Sequence, residues 1–192
     1  TWRTLRSADR LRSTLAAIPQ AVQALQELGV HREVQLIVSG GIRNGADVAK
    51  ALAMGADAVS IGTAALVALG CNKAVHIEDY HALGTEPGYC HHCHTGRCPV
   101  GITTQDEVLE RRLQPETAAG WVRNYLQVLT MEVTTLARAC GKSNVHHLER
   151  EDLAALTIEA AAMARVPLAG TSWIPGLGSD PSAADRGHRP PI

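Results

Sequence analysis

The spacing of apolar residues predicts a strand–helix–strand unit in the N-terminal third of the chain. The runs Val34–Val38 and Ala58–Ile61 are short and rich in β-branched residues, as in strands buried on both faces. Between them, Ala46–Met54 has helical spacing and is followed by Gly55, a residue that commonly ends helices. The stretch from Val34 to Ile61 is long enough for one right-handed βαβ unit, so we expect its two strands to be parallel.

Four further stretches have helical spacing: Leu15–Leu28, Ala64–Leu69, Pro115–Ala139 and Glu149–Ala164. The longest carries an apolar stripe made of Val122, Tyr125, Leu126, Leu129, Val133, Leu136 and Ala137. In the last, the residues expected to point inward are Leu153, Leu156, Ala160 and Met163. Cys140 continues the long stripe, so we expect it to be a small buried residue. Residues 179–192 are rich in Pro and charged residues and are expected to be disordered.

Composition excludes several classes of protein. The 192 residues hold 18 basic and 19 acidic side chains, and this balance argues against nucleic acid or an anionic membrane as the main partner. No apolar run is long enough to span a bilayer. The start of the chain, Thr1–Ile18, is rich in Arg, which is typical of a transit peptide and also of an exposed helix start. We expect one domain with an aliphatic core in a cytoplasmic protein.

Glycines follow both predicted strands and precede both predicted helices. Gly40 and Gly41 come after the first strand, and Gly62 comes after the second. Glycine lets backbone approach a ligand closely, and helix N-termini favour anions. Because parallel neighbours end at the same edge of a sheet, both turns are placed to hold one phosphate, as in many (β/α)8 barrels. The alternative is that these glycines only make tight connections.

Three cysteines lie within nine residues. Cys90, Cys93 and Cys98 have the spacing C-x2-C-x4-C, and Cys71 is a candidate fourth sulfur. Clustered thiolates that end in a Cys-Pro pair favour an iron–sulfur cluster in a reducing compartment. Zinc and a redox pair at Cys90 and Cys93 remain the alternatives. The neighbouring histidines are expected to face solvent or to hydrogen-bond to the ligands rather than to bind the metal themselves.

The segment from Val38 to Val59 resembles the last two βα units of FMN-binding barrels, a group that includes glutamate synthases, α-hydroxy-acid oxidases and inosine monophosphate dehydrogenase. In those families the two glycine turns hold the flavin phosphate. The resemblance implies that the cofactor-binding residues are Ser39, Gly40, Gly41, Gly62 and Thr63. Arg43 is either a further contact to the phosphate or a surface residue.

The cysteine segment narrows the resemblance to one of these families. Leu69–Cys71 and Cys93–Gln105 resemble the iron–sulfur loop of the glutamate synthase FMN domain, and the similarity extends from about Ile18 to Trp173. Cys93 and Cys98 match the last two ligands of that family. The first ligand departs from the C-x5-C spacing of the long glutamate synthases, and the candidates here are Cys90 and Cys71. The cluster type therefore stays open between 3Fe–4S and 4Fe–4S.

The resemblance implies an α/β fold, namely the C-terminal part of a (β/α)8 TIM barrel followed by an iron–sulfur loop and C-terminal helices. It divides the chain into the end of the FMN barrel (1–70), the cluster loop (71–105), helices that pack on the barrel (106–173) and a disordered tail (174–192). The chain is expected to be the C-terminal end of a longer protein or a truncated gene product. The family's catalytic residues lie mainly on earlier strands, so none is assigned here.

The implied activity is the reduction of 2-iminoglutarate, formed from 2-oxoglutarate and ammonia, to L-glutamate with FMN and the cluster. One alternative is the large subunit of N-methylglutamate synthase, whose shorter relatives the insert Asn72–Tyr89 resembles. The other is a non-catalytic iron–sulfur module that docks to a larger flavoprotein. The expected partners are an amidotransferase or reductase subunit or domain. The isolated chain is expected to be inactive and oligomeric.

Overall fold

The computed structural model of the protein describes residues 7–31 and 33–177. The expected disordered tail over 179–192 and the first residues of the Arg-rich start lie outside the described residues. Contacts divide the chain into two compact units, one formed by Thr1–Ser60 with Met131–Ile192 and the other by Ile61–Thr130.

In the first unit the elements are α1 (Ser7–Glu27), β1 (Ile37–Ser39), α2 (Gly45–Ala53), β2 (Ala58–Ser60) and, after the long helix, α7 (Ile158–Ala164). In the second unit they are α3 (Thr63–Leu69), α4 (Ile77–Ala82) and α5 (Glu107–Glu110). The long helix α6 spans Pro115–Ala139, as the sequence predicts, and the boundary between the units falls within it. Single 3-10 turns lie at Ala74–His76, Val145–His147 and Arg150–Asp152.

The predicted parallel βαβ unit is confirmed. β1 pairs with β2 in parallel, with Val38 opposite Val59 and Ser39 opposite Ser60. The Asp57 carboxylate accepts a hydrogen bond from the Leu36 amide at 2.6 Å and so ties the start of one strand to the start of the other. The two strands therefore end at the same level of the sheet, and the chain is an α/β protein.

The core of the first unit is aliphatic, as the composition predicts. α2 is almost entirely buried. The apolar residues of this helix and its flanks that are below a tenth exposed are Ile42, Val48, Ala49, Ala51, Leu52, Ala53, Met54 and Ala56. Ile18 of α1 and Val38 of β1 are buried in the same unit. Gly29 and Gly55 both have positive φ and end their helices as predicted.

The prediction that both strands are buried on both faces is wrong. Ile37 is 64% exposed, Val34 is 47% exposed, and only Val38 of β1 is buried. The reason is that each strand has a single strand neighbour among the described residues, so one edge of each strand is unpaired. A parallel sheet buries its strands only when further strands and helices surround it.

The predicted helix over Glu149–Ala164 is also wrong in its first half. Thr157 is the N-cap of α7, and its side chain accepts a hydrogen bond from the Ala160 amide. Before it, Ala155 exchanges backbone hydrogen bonds with Pro167 and Ala169, which holds the chain extended. Leu156, expected inward, is consequently 87% exposed.

Two further predictions for the helices need correction. Cys140, expected to be buried, is exposed, because the apolar stripe of α6 is covered at Leu129, Val133 and Ala137 but not at its end. The segment from Cys71 to Pro99, for which no helix is predicted from the sequence, contains α4. No helix of the described residues has both the length and the apolar character that crossing a membrane requires.

Candidate functional site

The backbone conformation of the first glycine turn is by itself enough to require glycine. Gly40 has φ +121° and Gly41 has φ +73°, values that side chains rarely adopt. A Cβ on Gly40 would also lie 2.8 Å from the Thr14 hydroxyl oxygen. Ser39, immediately before the turn, is exposed. The turn is therefore open at Ser39 and tightly constrained at Gly40.

Behind this turn, α2 begins with a network of charged groups. Asn44 caps the helix by accepting a hydrogen bond from the Asp47 amide at 3.0 Å. The Asp47 carboxylate, 2% exposed, accepts from the Arg43 amide at 3.2 Å and from its guanidinium at 3.1 Å. The Gly45 amide donates to the Glu132 carboxylate at 2.7 Å. Arg43 is thus held at the turn with its side chain 49% exposed.

The second glycine turn is more open than the first. Gly62 precedes α3 with φ −110°, and a Cβ placed there would have no atom within 4 Å. Gly62 and Thr63 are both exposed, and no side chain caps the start of α3. Nothing in the packing of the described residues thus requires glycine at position 62.

The four predicted cysteine ligands all lie in the second unit. Burial raises the pKa of the Cys71 thiol, and the charges of Cys93, Cys98 and Cys90 raise it further. Because Coulomb repulsion falls with distance, Cys71 lies in the neighbourhood of the other three thiols. Cys98 is buried, Cys71 and Cys90 are half-buried and Cys93 is exposed.

The Cys98 sulfur lies in a loop whose amides stabilise its ionised form. Burial raises the pKa of this thiol, but the backbone amides of Thr103, Val100 and Ile102 donate to the sulfur and hold the net pKa below its ordinary value. Hydrogen bonds to the charged form are the cause of such a decrease in pKa. Amide donors around a thiolate are also what tunes sulfur ligands in metal centres.

Two buried polar atoms beside the thiols lack protein partners. The Asn72 amide oxygen and the Thr103 hydroxyl are both buried without a partner that meets the distance and angle of a hydrogen bond. The Thr103 side chain still lies near enough to Cys98 to help lower the pKa of that thiol. Asn72 directly follows Cys71 and has φ +64°, an uncommon conformation for a residue with a side chain. Orphaned polar atoms in a folded chain indicate a place where another group is accommodated.

Tyr80 forms the apolar side of the cysteine group. It is 1% exposed and packs with Cys98 and Val100, and Cys90 packs against the same cluster. Burial raises the pKa of Tyr80 to about 12, and the charges of Cys71, Cys90 and Cys98 contribute to the increase. Tyr80 therefore stays a neutral phenol beside the thiols.

The loop between Cys93 and Thr104 is closed on itself. Arg97 and Thr104 form an antiparallel bridge, and the Thr104 hydroxyl donates to the Gly96 carbonyl. Gly101 has φ +79°, and a Cβ there would overlap the Leu109 carbonyl oxygen. The loop after Cys98 is consequently packed against the start of the following helical segment.

The donor set is of the kind that an iron–sulfur cluster uses. Among the described residues, no three His, Cys, Asp or Glu side chains stand in the arrangement that holds a single metal ion. The second unit contains four cysteines, and backbone amides lower the pKa of the Cys98 thiol, which is the chemistry of sulfur ligands to a cluster. Cys71, Cys90, Cys93 and Cys98 are the residues that would hold it.

Sequence reasoning missed Tyr80 and Arg112. The helical spacing of Ile77 and Tyr80 was a signal for α4, which brings Tyr80 to the thiols. Arg112 donates to the Pro99 carbonyl, the residue after Cys98, at 2.7 Å. Nothing in the local sequence marks Arg112, because its partners lie 13 and 33 residues away.

A parallel βαβ unit followed by a compact group of four cysteines defines the class of this α/β chain. The chain belongs to the glutamate synthase family, since the family model described as the conserved region in glutamate synthase matches residues 12–143. The match includes both glycine turns and all four clustered cysteines.

Curated relatives carry the same family name. The chain is 64% identical over 166 residues to the glutamate synthase large subunit-like protein of Rhizobium meliloti (strain 1021), which covers 86% of this chain and 38% of that protein. It is 43% identical over 132 residues to the archaeal glutamate synthase [NADPH] of Methanocaldococcus jannaschii, covering 69% of this chain and 23% of that protein. The chain thus spans well under half the length of these relatives. No solved structure gives a significant match.

Proposed function

We propose that the chain is the C-terminal, cofactor-bearing part of a glutamate synthase-type oxidoreductase that makes L-glutamate from 2-oxoglutarate and ammonia. In this proposal β1, α2 and β2 belong to the last two βα units of an FMN-binding barrel, and residues 71–105 are an iron–sulfur loop. The observation that carries it is that one unit of a glutamate synthase family member contains Cys71, Cys90, Cys93 and Cys98, and that the charges of the other three raise the pKa of Cys71.

The cluster loop has one task in this function. When bound, the iron–sulfur cluster supplies electrons to FMN, which reduces the imine formed from 2-oxoglutarate and ammonia. Cys98 is suited to hold the cluster since its thiol ionises readily and three backbone amides donate to its sulfur. Tyr80 excludes water from one side of the thiols because it is buried against Cys98.

The glycine turns have the second task. Gly40, Gly41, Gly62 and Thr63 are proposed to receive the flavin phosphate, and Ser39 is exposed beside them. Arg43 is proposed to contribute a positive charge, and its ion pair with buried Asp47 fixes the base of its side chain at the turn. The Arg43 side chain is 49% exposed, so an anion at the turn can approach its positive charge.

A second candidate is the large subunit of an N-methylglutamate synthase. The insert Asn72–Tyr89 favours it, because this insert resembles that of the shorter relatives; α4 lies within the insert and supplies Tyr80 to the cysteine group. An amidotransferase or reductase subunit or domain is the proposed partner in either case. The two candidates share cofactors and differ in product.

A product assay on the full-length protein tests this function. With 2-oxoglutarate, ammonia and a reductant we expect glutamate, and Cys98→Ala is expected to abolish its formation because the electron path is lost. Cys140→Ala is the matched control, since Cys140 is an exposed cysteine outside the group. N-Methylglutamate formed from glutamate and methylamine would favour the second candidate, and a cluster-bearing protein with neither activity would contradict both.

A further inference from the structure

Arg112 joins two segments that meet at the cysteine group. Its Nη1 donates to the Asp79 carboxylate at 2.7 Å and to the Pro99 carbonyl at 2.7 Å. The Arg112 side chain is 25% exposed, so water screens these bonds only in part. Charge-assisted bonds of this length are among the stronger ones in proteins.

Each partner of Arg112 is covalently next to a residue that contacts the thiols. Pro99 follows Cys98 directly, and Asp79 precedes Tyr80, which packs against Cys98. The guanidinium therefore connects the Cys98 loop to α4 from outside the apolar contact between Tyr80 and Cys98. Loss of this connection would leave that contact alone to hold the two segments together.

The charge of Arg112 also lies close to the cysteine group, because its guanidinium bonds to the carbonyl of the residue after Cys98. Asp79 offsets part of this charge, and the charges of Arg112, Asp79 and Lys73 also influence the pKa of His76. Reduction adds a negative charge to a cluster, so a nearby cation favours the reduced state. Removing Arg112 would also leave the Asp79 carboxylate without its ion-pair partner, and both changes disfavour reduction.

We propose that Arg112 is a positioning residue for the iron–sulfur group, which fixes the Cys98 loop against α4 and raises the reduction potential of the bound cluster. This inference rests on the cluster assignment in the proposed function. It assigns no chemical step to Arg112, which acts through Pro99 and Asp79.

The first test needs no cluster. In the metal-free full chain, Arg112→Gln is expected to speed alkylation of Cys98 by iodoacetamide about tenfold, because the loop opens more often without its two charge-assisted bonds. Arg111→Gln is the matched control, since Arg111 is 80% exposed and pairs only with exposed Glu107 at 3.7 Å. Exposed Cys140 provides the internal reference rate. Equal Cys98 rates in the two variants would overturn the positioning part of the proposal.

The second test uses the chain carrying its cluster. In a redox titration followed by EPR, Arg112→Gln is expected to lower the reduced-to-oxidised ratio about tenfold at the potential where the wild type is half reduced, about 59 mV for one electron. Arg112→Lys is expected to restore both readouts in large part, because one nitrogen makes both bonds. If Arg112→Lys restores both readouts, the loss in Arg112→Gln comes from the missing bonds and charge and not from general unfolding.

The outcomes separate this inference from the function on which it rests. A wild-type chain that takes up no iron and sulfide would contradict the cluster assignment, and the alkylation rates would still decide whether Arg112 fixes the loop. Faster alkylation with an unchanged potential would overturn the electrostatic part. A cluster-bearing chain in which Arg112→Gln matches Arg111→Gln in both measurements would overturn the whole inference.

Discussion

Gly40 and Gly62 hold comparable positions after their strands, yet they tolerate a side chain differently. Gly40 combines a positive φ with the Thr14 hydroxyl 2.8 Å from a Cβ, whereas a Cβ on Gly62 has open space around it. A residue forced into the conformation of Gly40 costs about 1–3 kcal/mol before any ligand is considered. Only at Gly62 does the structure allow a test of ligand binding that is separate from a test of stability.

We expect Gly62→Val in the full-length protein to expel FMN while the protein stays folded. The added side chain has no protein neighbour to strain, so it would occupy only the space that the phosphate needs. The measurement is bound FMN per folded protein, with Gly120→Val as the control, since Gly120 also has open space for a Cβ. An unchanged flavin content in Gly62→Val would contradict a phosphate role for this turn.

The sequence predicted residue types at the site better than residue environments. The proximity of Cys90, Cys93 and Cys98 follows from their short spacing, whereas Cys71 comes 19 residues before Cys90 and is brought near by the fold. The burial of Cys98 and the exposure of Cys140 do not follow from spacing, because they depend on which surfaces Tyr80 and the rest of α6 cover. The role of Arg112 could not be predicted from the sequence, because its hydrogen-bond partners lie 13 and 33 residues away along the chain.

At the scale of elements, the start of α7 is the clearest case in which tertiary contacts decide structure. The apolar spacing from Leu153 to Met163 suits one helix, but Ala155 is drawn into backbone pairing with Pro167 and Ala169. Thr157 then starts α7 as its N-cap. By contrast, α6 has the predicted bounds, because a strong stripe over many residues is a signal that local sequence carries by itself.

Two substitutions beside α7 test its packing. Leu156→Ala is expected to change the free energy of unfolding by less than about 0.5 kcal/mol, since Leu156 is 87% exposed. Val166→Ala is expected to cost about 2 kcal/mol, because Val166 is 3% exposed and packs with Ala155 and Ala161. Denaturant unfolding measures both. A larger loss for Leu156→Ala than for Val166→Ala would indicate the continuous helix that the apolar spacing suggested.

At the scale of the molecule, the sheet is incomplete for a parallel architecture. In the described part of the chain it consists of β1 and β2, which leaves an unpaired edge on each strand. Ile37 of β1 and Val34, which precedes that strand, are both exposed, although their residue types suit a buried strand. The strand pattern was therefore predictable from sequence, while its burial depends on neighbours that these residues do not supply.

We expect the isolated chain to self-associate and to bind FMN poorly, since unpaired edges with apolar side chains favour pairing between copies. Ile37→Lys is expected to reduce self-association in size-exclusion chromatography. Leu156→Lys, which adds the same charge at an exposed position away from the strands, is expected to leave it unchanged. A monodisperse wild-type monomer that binds FMN at micromolar affinity would contradict this account of the sheet.

The central claim is that the cysteine segment holds an iron–sulfur cluster, and the iron and acid-labile sulfide content of the anaerobically reconstituted chain tests it most directly. We expect both elements in cluster proportion, with a brown colour, and an EPR signal in the oxidised form if the cluster is 3Fe–4S. Cys98→Ala is expected to lose them and Cys140→Ala to keep them. A colourless chain that binds stoichiometric zinc would contradict the claim.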